Sequence, residues 1–185
     1  MKIKLLLSLF VFISYFESQA EIVRFLQVSD KFFRGSQPKT EEDYKLLKEN
    51  KVDTIINLRW DKSVAKSKAQ AEALGFKFIN VPLRADKRPA DQDIETVLAQ
   101  INNEANGRVY LHCAHGKDRT GLIGALYRVG EQNWSAEEAK KEWIKMGFAH
   151  KILHDLRKFF SDYTESLKRS EVGESFAPIC SQVFK

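Results

Sequence analysis

Hydrophobic residues along this chain alternate between two spacings. Short runs rich in β-branched and aromatic side chains, among them residues 53–59 and 108–112, have the composition of buried strands. Longer stretches carry apolar residues every three or four positions, as in residues 91–104, and this spacing indicates an amphipathic helix. The alternation of the two predicts an α/β fold with a mainly parallel central sheet flanked by helices.

Local signals set the expected boundaries of these elements. Thr40 with Asp43, and Ser135 with Glu138, have the spacing of helix-capping boxes, and Gly75 is typical of a helix end. Strands are expected at residues 21–29, 31–35, 53–59, 76–82 and 108–112. Helices are expected at residues 41–50, 63–75, 91–104, 120–130, 135–148 and 150–168.

The first twenty residues differ from the rest. Lys2 and Lys4 precede an apolar run at residues 5–16, and the small residues before and at Ala20 resemble a cleavage site. The run is too short to cross the roughly 30 Å hydrocarbon core of a bilayer as a helix. We therefore expect a signal peptide and export to a periplasmic or extracellular space, with a buried helix or uncleaved anchor as the alternative. The mature chain is expected to have no membrane span.

Length and charge limit the remaining possibilities. The chain has 185 residues, which suits one domain, expected at residues 21–168 with a C-terminal tail at 169–185. The formal net charge is +5, but the basic residues are scattered and do not interleave with aromatic ones. This pattern argues against nucleic-acid binding and is compatible with a small anionic substrate.

The segment HCAHGKDRTG at residues 112–121 carries the clearest chemistry. It joins a predicted strand to a predicted helix, so its backbone N–H groups and the positive end of the helix dipole converge on one concavity. Gly116 permits tight curvature, and the planar guanidinium of Arg119 is suited to holding two oxygens of a phosphate. The predicted phosphate-binding loop comprises Ala114, His115, Gly116, Lys117 and Asp118.

Cys113 lies at the start of this loop. The helix dipole, the N–H groups and Arg119 all favour its thiolate form, which is the nucleophilic form of cysteine. Attack on a bound phosphoryl group would give a phosphocysteine that water then hydrolyses. Thr120 is expected to donate a hydrogen bond to the thiolate, and His112 to orient the loop. A buried structural thiol is the alternative for Cys113.

The run from His112 through Cys113 and five further residues to Arg119, Thr120 and Gly121 resembles the signature of cysteine-dependent phosphatases of the protein tyrosine and dual-specificity type. The resemblance extends over most of residues 30–165. It implies a fold like that of dual-specificity phosphatases and hydrolysis of phosphate monoesters. The chemistry needs no metal or other cofactor.

The same resemblance implies an aspartate about thirty residues before the cysteine, which protonates the leaving group. Asp86, Asp91 and Asp93 are the candidates. Asp91 is expected to cap a helix, and Asp93 to lie in the first turn of that helix, so Asp86 is assigned as the general acid with Asp91 as the alternative. The Trp-Pro-Asp triplet of classical tyrosine phosphatases is absent, which argues against that subgroup.

Lys117 bears on the choice of substrate. Enzymes of the dual-specificity type that act on inositol phosphates often carry lysine at this position of the loop, and an additional cation suits a substrate with several phosphates. We therefore expect an inositol polyphosphate such as phytate, as for the tyrosine-phosphatase-like phytases, with phosphoproteins as the alternative. Further cations expected at the rim are Arg59, Lys62, Arg84, Lys87 and Arg88.

Other interpretations remain at this stage. A rhodanese-type sulfurtransferase also places a cysteine in an anion-binding loop, and a phosphate-binding module without turnover would retain the same loop. Cys180, the second cysteine, is either a packed or free thiol or a redox partner of Cys113. His150 and His154 have a spacing that would allow metal binding, but two ligands rarely hold zinc.

Overall fold

The computed structural model describes residues 22–149 and 151–171, with side chains up to residue 169. The proposed signal peptide, His150 and Cys180 lie outside this part of the chain. Within the described residues, none of the helices combines the length and the apolar character that crossing a membrane requires.

A five-stranded sheet forms the centre of the molecule. Its strands are β1 (Leu26–Gln27), β2 (Phe32–Gly35), β3 (Thr54–Asn57), β4 (Lys77–Asn80) and β5 (Val109–His112), in the order β1-β2-β5-β3-β4. Only β1 runs antiparallel to its neighbour. Because β2, β3, β4 and β5 are parallel, the loops that follow them lie along one edge of the sheet, where sites of such folds are built.

Within the described residues, six helices flank the sheet. They are α1 (Glu41–Glu49), α2 (Ser63–Ala73), α3 (Asp91–Asn102), α4 (Arg119–Gln132), α5 (Ala136–Lys145) and α6 (His154–Glu171), with a short 3₁₀ helix at Glu104–Asn106. Successive strand residues point to opposite faces. On one face, Phe33, Ile55 and Tyr110 pack with residues of α1 and α2. On the other, Phe32, Ile56 and Leu111 pack with residues of α3, α4, α5 and α6. The structure thus confirms the predicted α/β class and the mainly parallel sheet.

The predicted helix boundaries are largely confirmed. Both capping boxes are present, at Thr40 with Asp43 and at Ser135 with Glu138. Gly75 follows the end of α2 with φ of +77°, a conformation that suits glycine. Trp143 is buried in the core, where its ring contacts those of Phe148 and Phe160.

Three boundaries differ from prediction. The run at residues 21–29 contributes only the two residues of β1, since Arg24 adopts a left-handed conformation with φ of +61° and interrupts the extended chain. Residues 151–153 form a turn ahead of α6, which continues to Glu171, beyond the predicted domain boundary. Asp91 is not a cap: extended Ala90 occupies the cap position, and Asp91 is the first helical residue.

Candidate active site

The loop at residues 113–118 connects the end of β5 to the start of α4. Gly116 has φ of +71°, and a Cβ atom at this position would lie 2.5 Å from the carbonyl carbon of Gly35. Glycine is therefore required here both by the backbone conformation and by close packing against the end of β2. Arg119 is the first residue of α4, so the helix N-terminus points its N–H groups toward the loop.

Five consecutive carbonyl groups of this loop accept hydrogen bonds from donors outside residues 113–118. Because each carbonyl is turned outward, the adjoining N–H groups are directed toward the concavity before any anion arrives, as in a preformed anion nest. The donor–acceptor pairs are His112 Nδ1 to Cys113 O (3.1 Å), Gln37 N to Ala114 O (3.3 Å), Arg24 Nη1 to His115 O (3.1 Å), Arg34 Nη2 to Gly116 O (3.0 Å) and Trp143 Nε1 to Lys117 O (2.9 Å).

Cys113 lies at the base of this concavity and is 2% exposed. Burial by itself disfavours the thiolate. The Thr120 hydroxyl, the Arg119 guanidinium and the backbone N–H groups of Thr120 and His115 together outweigh burial and lower the pKa of the Cys113 thiol below its usual value. A lowered pKa increases the nucleophilic fraction of the thiol near neutral pH.

Thr120 faces the sulfur from the first turn of α4. Its hydroxyl is buried and makes no hydrogen bond of ordinary geometry to nitrogen or oxygen within the described part of the chain. Its interaction with the sulfur lowers the pKa of Cys113. The hydroxyl is thus available to the thiolate rather than committed elsewhere.

Arg119 is held by two loops that follow neighbouring strands. Its Nη1 donates to the carbonyl oxygens of Leu83 at 3.1 Å and Leu58 at 3.3 Å. Its Nε is buried without a hydrogen-bond partner among the described residues. Since an unpaired buried donor is costly, this nitrogen is suited to an anion bound in the concavity.

His112 is fully buried at the end of β5. Burial, supplemented by the nearby charges of Arg59 and Arg119, lowers the pKa of His112 to about 4, so the ring is neutral at physiological pH. A carbonyl oxygen only accepts, so Nδ1 must carry the proton and donate to Cys113 O. His112 thus lies where it supports the loop, and its neutrality suits it poorly to act as a proton donor.

Asp86 lies in the loop that follows β4, with its side chain 61% exposed. The Arg84 side chain donates to both carboxylate oxygens, at 2.9 and 2.5 Å, and also lies over the Trp60 ring at 4.7 Å. These hydrogen bonds lower the pKa of Asp86 and favour its charged form. Acting as an acid would therefore require Asp86 to separate from Arg84 when substrate binds.

The alternatives to Asp86 lie further along the same segment. Asp91 and Asp93 are both exposed in the first turn of α3. Ala90 and not Asp91 occupies the cap position, so the structural reason given for setting Asp91 aside does not hold. Asp91 therefore remains the alternative to Asp86.

The predicted rim cations do not form one cluster. Arg59 pairs with Asp61 at 2.7 Å and also donates to Gln37, beside the catalytic loop. Arg88 is directed to α6 instead, where it pairs with Asp162 at 2.8 Å and lies over the Phe159 ring. Lys62 and Lys87 are exposed.

Within the loop, Lys117 is half-buried, and its Nζ lies 3.9 Å from Asp118 Oδ2. The other carboxylate oxygen of Asp118 accepts from the backbone N–H of Ala149 at 3.1 Å. Asp118 thus ties the loop to the segment before α6.

Among the described residues there is no cluster of three or more metal-ligating side chains. One member of the histidine pair considered above, His154, has its Nδ1 2.7 Å from Arg157 Nη2. This contact occupies one of the two ring nitrogens of His154.

Several residues that position the loop were not singled out from the sequence. Arg24, Arg34 and Gln37 come from the N-terminal region, and the indole of Trp143 braces the loop in addition to its packing role. They lie 26 to 91 residues from their partners in the loop. No local spacing reveals such contacts, and only the glycine and proline around Gln37 indicate a turn there.

Arg34 is the most unusual of them, because its charged side chain is completely buried under the loop. Burial lowers the pKa of Arg34 to about 10, an effect opposed by the negative charges of Glu142 and the Cys113 thiolate. Nε has no hydrogen-bond partner among the described residues. The thiolate is thus one of two anions that compensate this buried cation.

An Arg34→Met substitution keeps the aliphatic stem and removes the charge. We expect the pKa of Cys113 to rise, and alkylation of Cys113 by iodoacetamide at pH 6 to slow roughly two- to fivefold. The measurement is the alkylation rate as a function of pH. The matched control is Arg128→Met, since Arg128 is also buried but is paired with Glu142 at 2.9 Å. An alkylation profile unchanged by Arg34→Met would contradict the electrostatic role.

Comparison with known proteins places this site in context. A family model described as "PTP-NADK: DSP-PTPase phosphatase fused to NAD+ Kinase" matches residues 10–156. The dual specificity protein phosphatase TpbA of Pseudomonas aeruginosa is 29% identical over 127 residues, covering 68% of this chain and 56% of TpbA. The inositol diphosphatase SIW14 of Saccharomyces cerevisiae is 28% identical over 130 residues, covering 67% of this chain and 45% of that protein. The chain thus spans about half the length of these curated relatives.

Solved structures agree with the observed architecture. The crystal structure of P. aeruginosa TpbA superposes with a TM-score of 0.65 at 26% identity, covering 76% of this chain and 84% of that one. TpbA has also been crystallised with phosphotyrosine, and that structure gives a TM-score of 0.63. The catalytic domain of SIW14 gives a TM-score of 0.69 at 22% identity and covers 84% of this chain and 92% of that one, a likeness of fold.

Proposed function

Because the chain belongs to the DSP-PTPase phosphatase family whose model it matches over residues 10–156, we propose that it hydrolyses phosphate monoesters through a phosphocysteine intermediate. The observation that carries the proposal is the buried Cys113, whose pKa is lowered beneath a loop with its carbonyls bonded outward. A thiolate in a preformed anion nest is the arrangement that phosphoryl transfer to sulfur requires.

In the first step the Cys113 thiolate attacks phosphorus in line with the ester oxygen. The phosphorus–sulfur bond forms as the phosphorus–oxygen bond breaks, and the leaving oxygen takes a proton from Asp86. The guanidinium of Arg119 and the N–H groups of the loop hold the remaining oxygens, on which negative charge is spread. Arg119 is suited to this because its Nη1 is already fixed by Leu58 and Leu83.

In the second step water attacks the phosphocysteine. The Asp86 carboxylate, now deprotonated, accepts a proton from this water, and the phosphorus–sulfur bond breaks to release phosphate and the thiolate. The Thr120 hydroxyl stabilises the departing thiolate, because it faces the sulfur and is not engaged elsewhere in the described residues. The cycle returns Cys113 and Asp86 to their starting protonation states.

For the substrate, the proposal is an inositol polyphosphate such as phytate. Lys117 supports this, because it adds a cation to the loop and its contact with Asp118 is a loose 3.9 Å. The name of the relative SIW14, an inositol diphosphatase, also supports this class of substrate. Among the predicted rim residues, Arg59 lies beside the loop, whereas Arg88 is occupied on α6 and is omitted from the proposed substrate contacts.

A phosphoprotein is the second candidate substrate. The observation that favours it is the similarity to TpbA, which is named a dual specificity protein phosphatase and has been crystallised with phosphotyrosine. The exposed Trp60 in the loop after β3 would offer an aromatic surface to such a peptide.

The proposal includes export. The basic and apolar character of residues 1–20 supports a signal peptide that is cleaved after Ala20. Outside the cytoplasm, inositol polyphosphates would serve as nutrients, which links this localisation to the proposed substrate. The check is the N-terminal sequence of the protein recovered from the periplasm or medium: a mature chain that begins at Glu21 is expected, and an intact Met1 on a cytoplasmic protein would contradict export.

The substrate is tested by comparing kcat/KM for inositol hexakisphosphate and for a phosphotyrosine peptide at the same pH and ionic strength. We expect the inositol phosphate to be preferred by about tenfold or more, since several cations meet several phosphates. Released phosphate is the common readout. A preference of the same size for the peptide would overturn the inositol polyphosphate assignment in favour of the second candidate.

A Lys117→Met variant sharpens this comparison, because it removes the cation and retains the side-chain length. The preference for inositol hexakisphosphate should fall, while hydrolysis of para-nitrophenyl phosphate changes little. Equal losses on both substrates would show that Lys117 supports the loop and does not select the substrate.

A further inference from the structure

A second cavity adjoins the catalytic loop. Its volume is about 300 Å³, and it is lined by Val23, Arg24, Ser36, Lys39, Ala114 and His115. Ala114 and His115 directly follow Cys113, so the cavity borders the position at which a reacting phosphoryl group would be held. Neither Lys39 nor Arg24 was among the rim residues expected from the sequence.

The charges that line this cavity are of one sign. Arg24 and Lys39 are cations, His115 adds an imidazole, and the lining contains no carboxylate. Within the described residues, neither cation forms an ion pair with a carboxylate. Asp43 is close in sequence, but its Oδ2 accepts from the backbone N–H groups of Lys39 at 2.7 Å and Thr40 at 3.0 Å. An anion entering the cavity would therefore meet two cations that are not engaged in ion pairs within the described residues.

The walls of the cavity are fixed. Arg24 holds a left-handed conformation that is unfavourable for a residue with a side chain and persists where the surroundings impose it. Its Nε donates to Met146 O at 2.6 Å and its Nη1 to His115 O at 3.1 Å. On the opposite side, Ser36 Oγ accepts from the backbone N–H of Val23 at 2.9 Å. A site with its charged group already positioned loses less entropy when a ligand binds.

We propose that this cavity is a second anion-binding subsite. When the reacting phosphoryl group of a substrate molecule is at Cys113, the subsite holds another phosphoryl group of the same molecule. The inference deepens the proposed function and rests on it for the class of substrate. Inositol polyphosphates carry phosphoryl groups on adjacent ring carbons, so one molecule reaches both positions. A separate phosphate ion would meet the same cations, and the experiment distinguishes these two sources.

The test measures binding, so that it does not depend on turnover. In a Cys113→Ser background, Lys39→Gln removes one cation of the subsite, and Lys45→Gln removes the same charge from an exposed position of α1 outside it. Calorimetry with inositol hexakisphosphate should show a Kd raised roughly threefold by Lys39→Gln relative to Lys45→Gln. The Kd of inorganic phosphate, which needs only the catalytic loop, should be the same in both variants.

A second variant tests the cavity itself without a change of charge. Val23 is 54% exposed, and only its backbone is hydrogen-bonded, to Ser36. Val23→Phe should therefore fold normally and fill part of the cavity. It should raise the Kd of inositol hexakisphosphate at least as much as Lys39→Gln does, and leave the Kd of inorganic phosphate unchanged.

The outcomes separate the subsite from the enzymatic proposal. Equal effects of Lys39→Gln and Lys45→Gln would overturn the subsite, as would binding of inositol hexakisphosphate no tighter than that of phosphate in the parent protein. A Kd for inorganic phosphate raised by Lys39→Gln would show that a separate ion occupies the cavity and would also overturn it. If the expected pattern appears but Cys113-containing protein fails to hydrolyse inositol hexakisphosphate, the subsite is supported and the proposed reaction is wrong.

Discussion

Replacing Cys113 by serine should lower kcat on every phosphate ester by at least about 10⁴-fold and leave anion binding nearly intact. The loop, Thr120 and Arg119 lower the pKa of a thiol below its usual value, but a serine hydroxyl remains protonated in the same position. The N–H groups and the guanidinium that hold phosphate are unaffected, since the outward hydrogen bonds of the loop involve backbone carbonyls. Steady-state kinetics and calorimetry with inorganic phosphate measure the two properties separately.

The matched control is Cys180→Ser, which removes the only other cysteine of the sequence. It should leave kcat unchanged, and a non-reducing mass measurement of the parent chain shows whether Cys113 and Cys180 are paired. A Cys113→Ser variant that turns over normally would refute nucleophilic catalysis by sulfur. A parent chain inactive on all phosphate esters would instead support a binding module, and activity on thiosulfate alone would support a rhodanese-type enzyme.

The position of Cys113 at the base of the loop was predictable because the features that fix it are local. Cys113, Gly116 and Arg119 are contiguous within one strand–loop–helix segment, where the helix start and the need for a tight turn are both visible in the sequence. The sheet was predictable for a similar reason, since alternating strands and helices have few packing solutions.

The supports of the loop were not predictable in this way. Arg24, Arg34 and Trp143 reach the loop only because the sheet order brings β2 beside β5 and because α5 packs on α4. In the sequence Arg34 is one of many scattered cations, whereas in the structure it is a buried one. The assignment of Asp91 as the helix cap was wrong by one residue. Ala90 is still extended and occupies the cap position, and the sequence pattern does not locate a helix start to the single residue.

The second large effect is expected for Asp86→Asn, which removes the transferable proton and keeps the size of the side chain. Hydrolysis of inositol phosphates should slow about 10³-fold, because an alkoxide leaves poorly without a proton. Para-nitrophenyl phosphate should lose far less activity, since its phenolate leaves unaided. The ratio of the two losses is the diagnostic measurement. A general loss of folding would reduce both activities equally, so the ratio distinguishes it from the loss of the general acid.

The pH dependence gives an independent test of the same role. Hydrogen bonds from Arg84 lower the pKa of Asp86. As the pH rises, Asp86 therefore loses its proton at a lower pH than an ordinary aspartate does. The basic limb of kcat/KM for inositol phosphates should therefore lie at acidic pH in the parent chain and disappear in Asp86→Asn. Arg84→Gln should raise the pKa of Asp86 and move this limb to higher pH, although it also removes a cation that substrate would meet.

Asp91→Asn is the decisive control, because Asp91 is the alternative acid and is exposed at the start of α3. It should leave both the leaving-group ratio and the basic limb as they are in the parent chain. A larger leaving-group-dependent loss in Asp91→Asn than in Asp86→Asn would transfer the role to Asp91. In that case the contact between Arg84 and Asp86 would be a surface ion pair of the loop, and Arg84→Gln would leave the pH profile unchanged.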